Sequence, residues 1–131
     1  MRGRKPAGIV SGSSPVARVP NPPAWLSKDA KAEWRRVAPI LVDERKVLTE
    51  ADLGTLESYC IATGTVREAH RTLNHDGLMI GDKRHPAFGV MNAAQTTARL
   101  CAAELGLTPV SRSRPAIRDD GDDDDLSPLD I

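Results

Sequence analysis

The sequence predicts an all-α fold, a short N-terminal helix followed by a long antiparallel helical hairpin, and two observations carry that expectation. Apolar residues recur every three or four positions in three separate stretches, the spacing that places them on one helix face. Each stretch is also bracketed by residues that start or stop helices. With 131 residues and only four aromatic side chains, Trp25, Trp34, Tyr59 and Phe88, the chain has one small core to build. Missing buried area is expected from oligomerisation.

Residues 1–23 hold five of the ten prolines, three glycines and three serines, too little apolar surface to offset the entropy of ordering. They are expected to form a flexible basic arm, with residues 24–114 as the helical domain and 115–131 as an acidic disordered tail. The opening Met-Arg-Gly-Arg-Lys-Pro resembles the element of AT-hook peptides that lays arginines in a narrow minor groove. Phosphate binding by a generic basic tail is the other reading of Arg2, Arg4, Lys5 and Arg18.

The first helix is expected from Ser27, a capping residue, to about Ala38, where Pro39 ends or kinks it. Ala30, Trp34, Val37 and Leu41 form its apolar stripe. Lys28, Lys31 and Arg35, with Arg36 beside them, could together reach a phosphate backbone; a solvated face paired with Asp29 and Glu33 is the competing reading.

Thr49-Glu-Ala-Asp52 reads as an acidic capping box that opens the second helix. Leu53, Leu56, Cys60, Thr63, Val66, Ala69 and Leu73 keep its period for about 25 residues, or roughly 38 Å, until Asn74-His-Asp-Gly77 stops it. Leu78-Met-Ile80 with Gly81-Asp82 forms either a short strand and turn or an irregular tip, and Lys83, Arg84 and His85 make it basic. The third helix starts at Pro86, carries Ala87, Val90, Met91, Ala94, Ala98, Cys101 and Leu105 on one face, and ends at a left-handed Gly106 clasped by Leu107. Its narrow, alanine-rich stripe needs neighbours: the second helix of its own chain and the same helix of adjoining subunits. Leu53, Leu56, Val66, Met91, Ala94, Ala98, Cys101 and Leu105 are the expected oligomerisation residues.

The formal net charge of zero conceals a division. Residues 1–28 carry five cations and no acid, whereas residues 119–131 carry seven aspartates. This suits a polyanion at one end and a protein partner, or self-screening, at the other. Leu126, Leu129 and Ile131 fit a short aliphatic docking peptide for a partner protein; an end without function is the other reading.

Catalytic signals are missing. His70 and His75 are five apart, which does not align two imidazoles on one helix face, and neither a CxxC nor an HExxH pattern accompanies them. There is no GxxxxGK[ST] phosphate loop and no GxSxG, so a non-enzyme without cofactor or metal is expected. Cys60 and Cys101 read as small buried thiols of a reducing compartment. Without an apolar run long enough for a membrane span or a signal peptide, a soluble cytosolic protein is expected.

Gly3-Arg-Lys-Pro6, Pro23-Ala-Trp-Leu26, Ala32-Glu-Trp34, Leu48-Thr-Glu-Ala-Asp52, Tyr59-Cys60, His85-Pro86 and Glu104-Leu-Gly-Leu-Thr-Pro109 with Ser111-Arg112, in that order, resemble the small subunit of tailed-bacteriophage terminases. The resemblance implies a non-catalytic DNA-packaging factor in the cytoplasm of the host bacterium. Such a subunit forms rings, recognises double-stranded viral DNA, and recruits and regulates a large subunit that carries the ATPase and nuclease. The alternative from another class is a dimeric helix-turn-helix transcriptional regulator, whose second helix would have to read bases.

Overall fold

A computed structural model describes residues 14–113. Helix α1, Lys28–Pro39, begins where expected: the Ser27 hydroxyl oxygen accepts from the Ala30 N–H at 3.2 Å. Its buried stripe is Ala30, Glu33, Trp34, Val37 and Ala38. Pro39 changes the helix without stopping it. A proline has no N–H to donate, and the chain continues in a π-helical turn, Ile40–Glu44, closed by Arg45 N–H donating to the Ile40 carbonyl at 2.8 Å. Lys46, at φ 54°, reverses the chain so that the N–H groups of Val47 and Leu48 both point at the Leu41 carbonyl.

That reversal offers an edge to the N-terminal segment. The Val16 N–H donates to the Leu48 carbonyl at 3.0 Å and the Glu50 N–H to the Ser14 carbonyl at 2.9 Å. Farther along, the Trp34 indole N–H donates to the Pro20 carbonyl at 2.8 Å. Residues 14–23, expected in the flexible arm, therefore lie against the helical domain. Backbone groups of the segment make these bonds, and backbone groups leave no side-chain pattern in a sequence.

A short 3₁₀ turn, Glu50–Asp52, leads into α2, Leu53–Asp76. The Asp52 carboxylate accepts from both the N–H and the hydroxyl of Thr49, at 3.0 and 2.9 Å, as the capping-box reading requires. Helix α2 packs against α1 on one side and α3, Ala87–Glu104, on the other. Where α1 crosses α2 the backbones nearly touch: a Cβ on Gly64 would stand 2.9 Å from the Ala30 nitrogen and 3.3 Å from the Ser27 oxygen.

Between α2 and α3 the chain forms a small antiparallel hairpin, β1 (Met79–Ile80) and β2 (Lys83–Arg84), pairing Met79 with Arg84 and Ile80 with Lys83. The strand-and-turn reading of this tip is the one observed, with Gly81 supplying a positive φ of 62° at the first turn position. Helix α3 ends at Gly106, φ 74°, with Leu107 N–H on the Ala102 carbonyl and Gly106 N–H on that of Ala103, the paired bonds of a Schellman motif. The Arg45 guanidinium adds a bond to the Gly106 carbonyl at 2.7 Å. A final turn, α4 (Pro109–Arg112), follows, with Thr108 accepting from the Ser111 N–H.

The core lies at the end of the hairpin away from the tip. Leu26, Trp34, Val37, Leu41, Leu48, Leu56, Tyr59, Cys60 and Leu105 meet there, with Val16, Leu53, Ala98 and Cys101 packed around them. Leu56 and Leu105, two of the expected oligomerisation residues, are thus consumed by the chain's own core, because the stripe that periodicity detects is the one that α1 and the hairpin bury together.

Replacing Gly64 by Ala should destabilise the protein by about 1–3 kcal/mol, the usual effect of forcing a methyl group into a filled contact. Chemical denaturation would show it as a lower midpoint at unchanged slope. The same substitution at Gly54, whose Cβ would meet nothing, should be neutral or mildly stabilising.

Candidate nucleic-acid interface

Successive residues of a helix are about 100° apart, so α1 divides into three faces. Ala30, Trp34, Val37 and Ala38 face the core. Lys28, Lys31 and Arg35 share a second face, with Lys28 and Arg35 exposed and Lys31 half-buried. Asp29, Glu33 and Arg36 share a third, turned toward α2.

The third face is a charge network built around a carboxylate with almost no access to water. Glu33 is only 1% exposed. Its oxygens accept from the Tyr59 hydroxyl at 2.6 Å, from Arg36 Nε and Nη2 at 3.0 and 2.6 Å, and from Arg67 Nη2 at 2.9 Å. Burial alone would raise the Glu33 pKa, but the bonds from Arg36 and Tyr59 outweigh it and hold the carboxyl below its ordinary value. Burial, together with the bond to Glu33, raises the Tyr59 pKa. A second pair joins α1 to α2 farther along, the guanidinium of Arg71 gripping both oxygens of Asp29. Asp29 is depressed chiefly by that bond.

The expected DNA-binding residues are thereby sorted. Arg36 donates two hydrogen bonds to Glu33, so its first duty is to neutralise a buried charge, although its side chain remains 60% exposed. Among the described residues, Lys28, Lys31 and Arg35 enter no ion pair. Arg18 is also exposed. Arg2, Arg4 and Lys5 lie outside the described residues, as do Leu126, Leu129 and Ile131.

Helix α2 has little left with which to read bases. Its two arginines, Arg67 and Arg71, are engaged by Glu33 and Asp29. The link from α1 to α2 also spans residues 40–52, far longer than the three- or four-residue turn of a helix-turn-helix motif. Both features weigh against the regulator reading.

The other expected oligomerisation residues are spread over different environments. Leu53, Ala98 and Cys101 pack against the core. Ala94 is buried between the helices, and Val66 and Met91 are half-buried. The outward apolar surface is instead a shallow groove of about 510 Å³ between α2 and α3, lined by Ser58, Ile61, Ala62, Thr65, Val90, Ala93, Ala94 and Thr97. Small side chains on both helices leave it unfilled, which is why Val90, expected on the packed stripe, is 52% exposed. Leu100, one turn beyond Thr97, is 55% exposed. Periodicity finds only Val90 and Ala94 of this face, since its other members are mostly alanine, serine and threonine.

Cys60 is buried, and burial pushes its thiol up to about 12; Cys101 is half-buried, with its pKa raised by the same cause. His70 and His75 are exposed. His85, expected in the basic tip, is buried instead: its Nδ1 accepts from the Ala87 N–H at 2.9 Å and its Nε2 lies 2.8 Å from Asp76. Among the described residues no group of three or more His, Cys, Asp or Glu is placed to hold a metal ion, and no helix is long and apolar enough to cross a membrane.

The depressed Glu33 pKa means that folding stabilises its charged form. That contribution is present above about pH 4.5 and is lost as pH falls through the lower folded-state value. Stability measured by urea unfolding should therefore decline below about pH 5. Glu33→Gln should flatten the decline without removing it, because Asp29 and Asp76 are depressed as well. At pH 7, Glu33→Ala should cost about 2–4 kcal/mol through the unpaired Tyr59 hydroxyl and the void.

A comparison with known protein families matches residues 30–122 to the family described as phage terminase, small subunit. Searches among curated proteins and among solved structures return no match. The match runs from the third residue of α1 through the helical hairpin and α4, and so over most of the chain: this protein belongs to the phage terminase small-subunit family.

Proposed function

We propose that the chain is a DNA-recognition and assembly subunit of a viral packaging terminase, without catalytic activity of its own. It would bind double-stranded DNA through the α1 face of Lys28, Lys31 and Arg35, assemble with copies of itself into a ring, and recruit the large subunit that carries the motor and nuclease. The observation that supports the DNA reading best is the contrast within α1: Asp29 and Glu33 are both occupied by arginines, while three cations on another face are left without acidic partners among the described residues. Charges that are not needed for the fold are available for phosphate.

The groove between α2 and α3 is the proposed assembly face, with Ile61 and Val90 as its aliphatic anchors in place of the buried Leu56 and Leu105, and the exposed Leu100 beyond its end. An exposed apolar strip beside a small core fits a chain that completes its burial against neighbours. In such a ring, weak phosphate contacts made by each subunit would reinforce one another through effective concentration. Leu126, Leu129 and Ile131 are proposed to dock on the large subunit, and the acidic run before them would keep the segment clear of DNA by repulsion.

Two sets of substitutions separate these roles. Lys28→Gln, Lys31→Gln and Arg35→Gln together should reduce DNA affinity and lower the slope of log K against log salt by about 0.9 for each phosphate that is no longer neutralised, with assembly and melting temperature unchanged. Ile61→Ser with Val90→Ser should reduce the oligomer mass seen by light scattering while helicity stays constant. Unchanged affinity and salt slope in the first variant would remove the DNA-binding assignment for α1; an unchanged mass in the second would remove the groove as the assembly face.

A further inference from the structure

The hairpin tip presents a feature that neither the fold nor the α1 face requires. Leu78, Met79 and Ile80 are consecutive and 58, 51 and 55% exposed. A connection between two helices needs no aliphatic residues there, and three in a row in solvent are a liability unless something covers them. Lys83 and Arg84, both exposed, stand directly opposite Ile80 and Met79 in the two-stranded ribbon. Residues opposite one another in an antiparallel pair point to the same side, so each side of the ribbon carries an aliphatic and a cationic side chain.

The ribbon is also firmly seated. The His85 N–H donates to the Leu78 carbonyl at 2.9 Å, extending the ladder. Because Nδ1 of His85 accepts from Ala87, the ring carries its proton on Nε2 and donates it to Asp76 at the end of α2. The imidazole thereby ties the last residue of α2 to the first turn of α3. The Arg84 guanidinium lies over the Phe88 ring, 5.5 Å from its centre, which fixes the second strand on α3. Asp76 is taken up by His75 and His85, leaving Asp82 in the turn as the tip's unpaired acid among the described residues.

An aliphatic wedge flanked by cations on a rigid two-stranded ribbon matches the chemistry of a DNA groove, where phosphates line the rim and the stacked faces of a base step, once parted, are apolar. Two paired strands are narrow enough for the major groove, and Leu, Ile and Met are side chains that unstack base steps when pressed into the minor groove. We propose that the hairpin tip is a second DNA contact, in which Lys83 and Arg84 bind phosphates and Leu78 and Ile80, which share one side of the ribbon, wedge against a base step and bend the duplex. It rests on the DNA-binding role proposed above and adds to it a deformation that phosphate contacts alone would not cause.

The test compares the full chain with two tip variants on end-labelled duplex DNA, reading affinity by fluorescence anisotropy and bending by energy transfer between the ends. Circular dichroism verifies that helicity is intact. The variant Leu78→Thr, Met79→Thr, Ile80→Thr keeps residues that suit strands and should lose the bend, of at least about 20°, while its salt slope stays that of the wild type. Lys83→Gln with Arg84→Gln should lower the slope by about two per bound subunit. Asp82→Asn should tighten binding several-fold. Wild-type bending that persists in the threonine variant overturns the wedge, as does a variant that bends DNA normally but no longer captures the large subunit, which would make the tip a protein-docking surface. Absence of any DNA binding by the wild-type chain would instead defeat the reading on which the wedge rests.

Discussion

Everything else in the fold is arranged around one buried carboxylate. Glu33 sits on α1 between the core and α2, and leaving it there uncompensated would be prohibitive. Three donors from two helices satisfy it: Arg36 one turn along α1, and Tyr59 and Arg67 from α2. Two neighbours restrict the solution further. The Gly64 backbone admits α1 only at close range, and the Asp29–Arg71 pair fixes the crossing at a second point. A hydrophobic stripe alone would let α1 slide or rotate on α2. The charge network and the glycine contact define one orientation.

That orientation determines which charges remain for other uses. With Asp29, Glu33 and Arg36 turned toward α2, the face bearing Lys28, Lys31 and Arg35 points away from the acids of α1. The same crossing leaves α3 covered on one side only; Ala94 is its single residue buried along the helix proper. An alanine-rich helix so placed offers a surface without completing a core. The proposed DNA contact uses the first of these surfaces and the proposed assembly contact the second.

Helices are legible in the sequence because their signals are local. Ser27, Thr49 with Asp52, Gly77 and Gly106 each mark a terminus by chemistry that operates within a few residues, and each is found doing so. Tertiary features are less accessible. Glu33 reads as one more member of a solvated face, since nothing in its neighbourhood announces Tyr59 or Arg67, 26 and 34 residues away. Gly64 has no neighbour in sequence that announces the close approach of Ala30. His85 reads as a surface cation, and its burial follows from Asp76 and the α3 N-terminus converging on it. Periodicity places the oligomerisation stripe on Leu56 and Leu105 because it finds what is buried, without saying by whom.

The decisive quantity is the mass of the native particle with and without duplex DNA, measured by native mass spectrometry on the full 131-residue chain. A closed assembly of many identical copies that takes up DNA as one particle is the expected result. A dimer that binds DNA one pair at a time would contradict the ring, and a monomer would contradict the argument that the small core is completed against neighbouring copies.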